Sequence, residues 1–292
     1  MLNKNSFLKV ALLIMILSEA CLKPKKPDKT VWPKDTVMYD VAYGPHPRHK
    51  YDLYLPAGRD TIKTPGVLLL HGGGWKYGQK EDMQMWVNLF RKVYPEAAII
   101  NMNYRLASWS EGIHHPEIMT DLQEAVQHII AHRAEYRIAG RMAMAGESAG
   151  AHLSMMYAYR FNEAGLIRAV GDLYGPSTLY DWSWYSSANL WLGALVGDVL
   201  AEYVGAPFDS AAYCAASPYW QATSQAPPTI IFHGILDPIV PKYQSDWLNA
   251  RLHSLGVPRQ YHEVLAFHGF NYYQAEDAVQ KMTAFFRPLL KP

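Results

Sequence analysis

Short apolar runs alternate with stretches of helical periodicity along most of the chain, and this alternation predicts an α/β fold. The continuous apolar runs Val67–Leu70 and Ala97–Tyr104 are typical of strands covered on both faces. From about Pro116 to Tyr136 the apolar residues recur at helical spacing, which predicts one helix with a single buried stripe. We therefore expect about eight strands in a mostly parallel sheet, with helices on both faces.

The same pattern places the remaining elements. The predicted strands are Val37–Tyr43, Tyr51–Pro56, Val67–Leu70, Ala97–Tyr104, Met142–Ala145, Ile167–Gly175, Pro228–Gly234 and Arg259–Phe267. The first two alternate and are expected to be antiparallel. Later helices are predicted after Ala149 and at the C-terminal end, and another is predicted with Pro241 in its first turn and Gly256 as its stop. Because neither a repeat nor a long linker divides residues 35–292, we predict one domain.

One segment departs from this alternation. Pro176–Trp220 is rich in Trp, Tyr, Gly and Ala, and it is longer than a simple crossover requires. The segment is typical of a small cap inserted over the pocket of an α/β scaffold. An extra helix packed against the sheet is an equally good interpretation.

The N-terminal residues have the pattern of an export signal. Residues 1–21 combine Lys4 and Lys9 with a short apolar run and small residues before a possible cleavage point. The pattern favours a lipoprotein signal with lipidation at Cys21 over plain secretion, although Ser18 and Glu19 depart from it. Residues 22–34 are predicted to be a tether. We expect an exported protein, periplasmic or held at the membrane of a bacterium by this lipid anchor alone.

Charge and cysteine content narrow the possible functions. The 292 residues carry a formal net charge of +1, which provides no electrostatic reason to expect a nucleic-acid partner. If Cys21 is lipidated, Cys214 has no intrachain partner, so a disulfide framework is excluded. The stability of the fold must then come from its hydrophobic core.

The chemistry begins with the motif Gly-Glu-Ser-Ala-Gly at residues 146–150. It follows an apolar strand and opens an apolar helix, which is the context of a nucleophile elbow. In such an elbow the hydroxyl of Ser148 would lie at the apex of a strained turn. The N-terminus of the following helix would favour developing negative charge nearby.

A serine nucleophile needs a base, and the base needs an acid to orient it. The order expected after an elbow serine is acid and then histidine. Asp237 and His268 each follow a predicted strand, at the sheet edge where catalytic loops gather. Asp209 and His233 are the alternatives, and we favour Asp237 and His268 because His233 belongs to the strand itself.

A second motif, His-Gly-Gly-Gly-Trp at residues 71–75, ends the predicted strand Val67–Leu70. Loops of this type supply backbone N–H groups to the oxyanion formed in acyl transfer. The amide of Ala149, which follows the nucleophile, is the other expected donor. Consecutive glycines are costly to order, and this use accounts for their cost.

From residue 35 onwards the chain resembles the α/β-hydrolase carboxylesterases, in their hormone-sensitive-lipase-like branch with its bacterial acetyl and feruloyl esterase relatives. The matching blocks are HGGGW, NYRLA, GESAGAHL, HGILDPIVP and FHGF. The resemblance implies an α/β-hydrolase fold, with Ser148 as nucleophile, His268 as base and Asp237 as its orienter. It also implies that Gly73, Gly74 and Ala149 are the oxyanion donors, and it implies neither a metal nor an organic cofactor.

These features predict a serine ester hydrolase that acts on a small-molecule or carbohydrate ester, such as an acetyl or feruloyl ester. The alternatives are an arylformamidase-like amide hydrolase or a serine peptidase on the same triad, and a non-catalytic binding module. We expect Trp75, which follows the glycines, to line the pocket together with Trp182 and Trp184 of the cap. The alternative for Trp75 is packing in the core.

Overall fold

The computed structural model of the chain describes residues 34–187 and 194–292, and the backbone alone of residues 190–191. The predicted export signal and Cys21 lie outside these residues and stay predictions. In the part of the chain that is described, no helix is both long enough and apolar enough to cross a bilayer.

Eight strands of the described residues form the main sheet, in the order β1-β2-β4-β3-β5-β6-β9-β10. They are β1 (Thr36–Ala42), β2 (Lys50–Leu55), β3 (Gly66–Leu70), β4 (Ala98–Met102), β5 (Met142–Glu147), β6 (Ile167–Leu173), β9 (Thr229–Gly234) and β10 (Arg259–Val264). The pairs β1/β2 and β2/β4 are antiparallel, and all other pairs are parallel. The predicted fold class, with its two antiparallel strands at one side of the sheet, is confirmed.

Helices cover both faces of the sheet, and the central strands alternate between the two cores. Leu68 and Leu70 belong to one buried cluster, whereas Val67 and Leu69 belong to the other. The long helices are α1 (Gln84–Val93), α2 (His115–Ala131), α4 (Ala149–Met156), α6 (Val196–Val204), α9 (Tyr243–Ser254) and α10 (Tyr272–Leu289).

Three details of the helix prediction were wrong or incomplete. The helix expected from Pro116 to Tyr136 is divided at His132 into α2 and the short helix α3 (Arg133–Tyr136). Helix α1 was not predicted, although Trp86 and Phe90 lie one turn apart on its buried face. Pro241 precedes α9, which begins at Tyr243, so it does not lie in the first turn.

In its described residues, the segment from Pro176 to Trp220 contains four helices and a two-stranded ribbon. These are α5 (Trp182–Tyr185), the ribbon β7 (Leu190–Trp191) and β8 (Ala194–Leu195), α6, α7 (Ser210–Ala215) and α8 (Pro218–Gln221). Two aromatic side chains join the segment to loops at the carboxyl edge of the sheet. Tyr203 stacks on Trp75 with ring centroids 4.1 Å apart, and Trp184 Nε1 donates to the carbonyl of Ile239 at 2.9 Å.

Helix α4 approaches the end of β3 so closely that only glycine fits at its second position. A Cβ on Gly150 would lie 2.5 Å from the carbonyl oxygen of His71 and closer still to that of Leu70. Strand β3 cannot retreat, because it is paired with β4 on one side and with β5 on the other.

Replacing Gly150 with alanine should therefore lower the free energy of unfolding by about 3 kcal/mol or more, because the added methyl group meets fixed backbone oxygens. Urea denaturation of the purified variant, followed by circular dichroism, measures this loss. Expression only as insoluble protein would also agree with the prediction.

Gly140→Ala is the matched control. The nearest atom to a Cβ there is the flexible end of the Arg133 side chain, 3.2 Å away, so we expect a loss of about 1 kcal/mol or less. Equal losses in the two variants would contradict the close-approach argument.

Candidate active site

The turn between β5 and α4 holds Ser148 in a strained conformation. Its φ of 51° and ψ of −119° lie outside the regions that non-glycine residues favour. The Ser148 amide donates to the carbonyl of Leu173 at the end of β6, which anchors the turn at the carboxyl edge of the sheet. The side chain points off this edge into a small cavity.

Loops after β9 and β10 bring Asp237 and His268 to the same place. His268 Nε2 lies 2.9 Å from Ser148 Oγ, and His268 Nδ1 lies 2.7 Å from Asp237 Oδ2. The two loops are joined by the amide of Leu236, which donates to the carbonyl of Ala266 at 3.0 Å. The structure thus brings the three predicted residues together in one hydrogen-bonded chain.

Asp237 is surrounded by hydrogen-bond donors although its carboxyl group is fully buried. Its Oδ1 accepts from the amides of Ile239 and Val240 at 2.8 and 3.0 Å, and its Oδ2 faces His233 as well as His268. Burial raises the pKa of Asp237, but the hydrogen bonds from His233 and His268 outweigh it and lower the pKa to about 2. Asp237 is therefore ionised over the whole physiological range.

The alternatives left open by the sequence occupy other positions. Asp209 is exposed and caps α7, where its Oδ1 accepts from the amide of Ala212 at 2.8 Å. His233 belongs to β9, as expected, and lies behind Asp237 with 3.3 Å between Nε2 and Oδ2. The described contacts of His233 therefore place it against the acid and not against the serine.

His233 has a supporting position that sequence reasoning missed. Its Nε2 faces two acceptors, Val240 O at 3.0 Å and Asp237 Oδ2, while its Nδ1 lies 2.7 Å from Ser245 Oγ. This arrangement assigns the proton to Nε2, with Nδ1 accepting from the serine hydroxyl. The signal in the sequence was the spacing of four residues between His233 and Asp237.

The glycine loop after β3 lies directly beside the serine. A Cβ on Gly72 would be 3.4 Å from Ser148 Cβ, and Gly73 has a φ of 109° that side chains rarely adopt. Gly72 and Gly73 both line the cavity, whereas Gly74 is buried just behind it. Within the described residues, the amides of Gly73, Gly74 and Ala149 donate no hydrogen bond.

Trp75 anchors this loop in the core and is not a wall of the cavity. It is completely buried, with its ring stacked on Tyr203 and set edge-on to His152 at a centroid distance of 5.0 Å. Its backbone has a positive φ of 60°, a conformation that is uncommon for a non-glycine residue. The expectation that Trp75 lines the pocket was wrong, and the alternative of core packing is correct.

The two cap tryptophans also lie outside this cavity. Trp184 is buried and donates to the carbonyl of Ile239, so it supports the loop that carries Asp237. Trp182 is 61% exposed and stacks on Tyr185 at a centroid distance of 5.6 Å. Because Trp182 and Trp184 are two residues apart in α5, their side chains lie on different faces of this helix.

The cavity beside Ser148 has a volume of about 160 Å³. Besides the serine, the histidine and three glycines, its lining consists of Glu147 and Tyr174. Glu147 accepts hydrogen bonds from Trp86 Nε1 at 3.0 Å and from the Tyr174 hydroxyl at 2.9 Å. Burial raises the pKa of Glu147, and these hydrogen bonds oppose that shift.

Tyr174 is a site residue that the sequence analysis did not single out. Its ring is set edge-on to that of His268, with 5.1 Å between centroids, and its hydroxyl holds Glu147. Tyr174 follows β6, at the same sheet edge as the other site residues. Its position at the carboxyl end of a predicted strand was the signal in the sequence that could have identified it as a site residue.

Comparison with known protein families identifies the family of this chain. Residues 51–252 match the model of the BD-FAE family, a region that includes the elbow and Asp237. The chain belongs to the BD-FAE family. His268 lies beyond the matched region, so its place in the site comes from the structure.

Individual relatives of this BD-FAE family chain are esterases. It is 24% identical over 234 residues to isoprenylcysteine alpha-carbonyl methylesterase ICME of Arabidopsis thaliana, covering 76% of this chain and 53% of that protein. It spans about half the length of the curated relatives it matches first.

Two solved structures share its fold. A truncated carbohydrate esterase from gut microbiota is 20% identical with a TM-score of 0.69, covering 91% of this chain and 99% of that one. Esterase 2 of Thermogutta terrifontis, phosphonylated by sarin, is 18% identical with a TM-score of 0.69, covering 92% and 100%. The fold of this BD-FAE family chain is therefore the α/β-hydrolase fold.

The low pKa of Asp237 makes the stability of the fold depend on pH. The pKa of the Asp237 carboxyl group is lower in the folded protein, at about 2, than its ordinary value of 3.8. Its stabilisation is complete above that value and is lost as the pH falls through about 2. The free energy of unfolding in urea should thus decrease more between about pH 5 and about pH 3 in the wild type than in Asp237→Asn.

Asp209→Asn, which removes a surface carboxylate, is the control and should keep the wild-type decrease. An Asp237→Asn variant with the same decrease as the wild type would show that the carboxyl group of Asp237 is not held in its ionised form by the fold.

Proposed function

We propose that this protein is a serine carboxylic-ester hydrolase that works through an acyl-enzyme. The observation that carries the proposal is the hydrogen-bonded chain from Ser148 through His268 to Asp237, placed at a strained elbow beside the glycine loop. A serine hydroxyl in such a chain has a base within reach and a partner that orients the base.

In the first step Ser148 Oγ attacks the ester carbonyl carbon, and its proton passes to His268 Nε2. The 2.9 Å between these atoms is within hydrogen-bond reach. Asp237, ionised and held by two backbone amides, accepts from Nδ1–H of His268 and stabilises the imidazolium that forms.

The carbonyl oxygen becomes negatively charged in this step and needs donors that are already in place. We assign this role to the backbone N–H groups of Gly73, Gly74 and Ala149. Ala149 opens α4, so the positive end of the helix dipole adds to its own N–H. No side chain intervenes at the glycines, which allows the amides to approach the oxyanion.

Collapse of the tetrahedral intermediate breaks the bond to the alcohol, and His268 Nε2 returns its proton to the departing oxygen. A water molecule, deprotonated by His268, then attacks the acyl-serine and releases the acid. Ser148 recovers its proton at the end of the cycle, so protons and charge balance.

The cavity volume of about 160 Å³ supports a short acyl group as substrate. Sites for drug-sized ligands are larger, at about 300–1,000 Å³, and an extended acyl chain would leave this cavity. The similarity to a carbohydrate esterase from gut microbiota supports a sugar as the alcohol partner. Reaction of the related esterase 2 with sarin supports serine chemistry on this fold.

We also propose that the protein is exported, as a lipoprotein anchored at Cys21. The support is the basic and apolar pattern of residues 1–21 together with the Pro- and Lys-rich residues that follow.

Ser148→Ala should lower kcat for p-nitrophenyl acetate by about three orders of magnitude or more, because no other hydroxyl lies in reach of His268 among the described contacts. A fluorophosphonate should label the wild type once, at Ser148, and should leave the variant unlabelled by mass spectrometry.

Ser154→Ala is the matched control, because Ser154 lies in the same helix and its hydroxyl donates to Gly150 O at 2.8 Å. It should keep near-wild-type kcat. Persistent hydrolysis by Ser148→Ala, at wild-type melting temperature, would overturn the proposed mechanism.

The acyl preference gives an independent prediction. With the same p-nitrophenol leaving group, kcat/KM for acetate should exceed that for octanoate by about tenfold or more, because the cavity beside Ser148 is small. Initial rates over a range of ester concentrations decide the comparison. An octanoate ester turned over as well as acetate would place the acyl chain outside this cavity.

A further inference from the structure

A second concave site lies on the same edge of the sheet as the cavity beside Ser148. It is a groove of about 220 Å³, which we call the aromatic groove. Its lining residues are Thr178, Tyr180, Tyr219, Trp220 and Trp247. They come from the loop after β6, from α8 and from α9, so three separate parts of the chain converge there.

Large aromatic surfaces in the groove are open to solvent. Trp220 is 50% exposed and Trp247 is 45% exposed, on two different helices. Single exposed aromatic residues are ordinary, but several that converge on one concavity indicate a binding site.

One polar group at the base of the groove points to the kind of ligand. Thr178 is only 4% exposed, and its Oγ1 has no hydrogen-bond partner among the described residues. A buried hydroxyl without a partner is costly, so its presence in the lining favours a ligand that supplies a hydrogen bond.

The base of the groove is rigid. The Gln244 side-chain oxygen accepts from the amides of Ser177 and Thr178 at 2.9 and 3.0 Å, and Ser177 Oγ donates to the Gln244 carbonyl at 2.7 Å. The amide of Leu179 donates to Ser217 Oγ at 2.7 Å. A preformed site of this kind loses little entropy when it binds.

None of the described residues that line the groove is charged, although the Arg251 guanidinium lies 5.8 Å from the ring centroid of Tyr219. A pyranose ring fits its chemistry, because the ring has an apolar C–H face to stack on indole and hydroxyl groups at its edge. Tyrosine and tryptophan combine an apolar face with a polar atom in the same way. We propose that the aromatic groove binds a pyranose unit of a carbohydrate chain.

The groove is near enough to the cavity to hold part of the same molecule. Tyr174 lines the cavity and Thr178 lines the groove. Thr178 comes four positions after Tyr174, so their Cα atoms are no more than about 14 Å apart. The inference that this sugar belongs to the ester substrate rests on the proposed function. Binding of the sugar itself does not.

The test is titration of the full chain with xylohexaose, which carries no ester, followed by tryptophan fluorescence and isothermal calorimetry. We expect saturable binding that weakens about tenfold in Trp220→Ala and in Trp247→Ala, through the lost stacking surface. Trp247→Phe, which keeps a ring, should weaken binding less. Thr178→Val, which keeps the shape and removes the hydroxyl, should also weaken it.

Trp109→Ala is the matched control, because Trp109 is 53% exposed and does not line the groove. It should bind xylohexaose as the wild type does. Absence of binding to the wild type, or equal binding by the wild type and both groove variants, would overturn the proposal.

Kinetics separate this proposal from the proposed function. On acetylated xylohexaose the two tryptophan variants should raise KM about tenfold with kcat unchanged, and on p-nitrophenyl acetate they should match the wild type. Binding of xylohexaose without hydrolysis of either ester would refute the esterase function and leave the sugar site standing. Unchanged KM in variants that bind xylohexaose weakly would refute the link between groove and substrate.

Discussion

The close approach of helix α4 to the end of strand β3 is the constraint on which the site depends. Gly150 lies against the carbonyl groups of Leu70 and His71, so the first turn of the helix is held on top of the central strand. Ser148, two residues earlier, is thereby held in its strained turn. The same contact places the glycine loop that follows His71 beside the serine. A looser packing here would separate the candidate nucleophile from the candidate oxyanion donors.

Backbone groups alone do not hold the glycine loop in place, because three consecutive glycines have little preference for any one backbone conformation. Side chains on either side of them do so. Trp75 is inserted into the core between Tyr203 and His152, and His71 stacks on Tyr104 with centroids 4.3 Å apart. Burial lowers the pKa of His71 to about 3, so this ring stays neutral within the core. The costly loop is thus stabilised by the buried aromatic residues at its two ends.

Two carboxyl groups next to His268 show how environment separates the properties of similar residues. Asp237 receives hydrogen bonds from two amides and two histidines, and its pKa is lowered. Glu147 is held by neutral donors from Tyr174 and Trp86, and burial raises its pKa. Asp237 is therefore suited to stabilise a positive imidazolium. Glu147 is suited to shape the cavity, because its raised pKa favours the neutral form of the carboxyl group. The pKa values of the two carboxyl groups shift in opposite directions because their hydrogen-bond donors differ, and not because one residue is Asp and the other Glu.

The sequence by itself determined the fold class and identified Ser148, and it favoured Asp237 and His268 while leaving Asp209 and His233 open. Hydrophobic periodicity reports burial directly, so the eight strands could be predicted, and glycine motifs report backbone geometry that side chains forbid. Only the tertiary structure decided between Asp237 and Asp209 and assigned His233 its place behind the acid, since both depend on which loops meet at the sheet edge. The tertiary structure also corrected the prediction that Trp75, Trp182 and Trp184 line the pocket. An aromatic residue suits a core and a binding surface equally well, so Trp75 and Trp184 could be placed inside, and Trp220 and Trp247 at the groove, only when their neighbours were known.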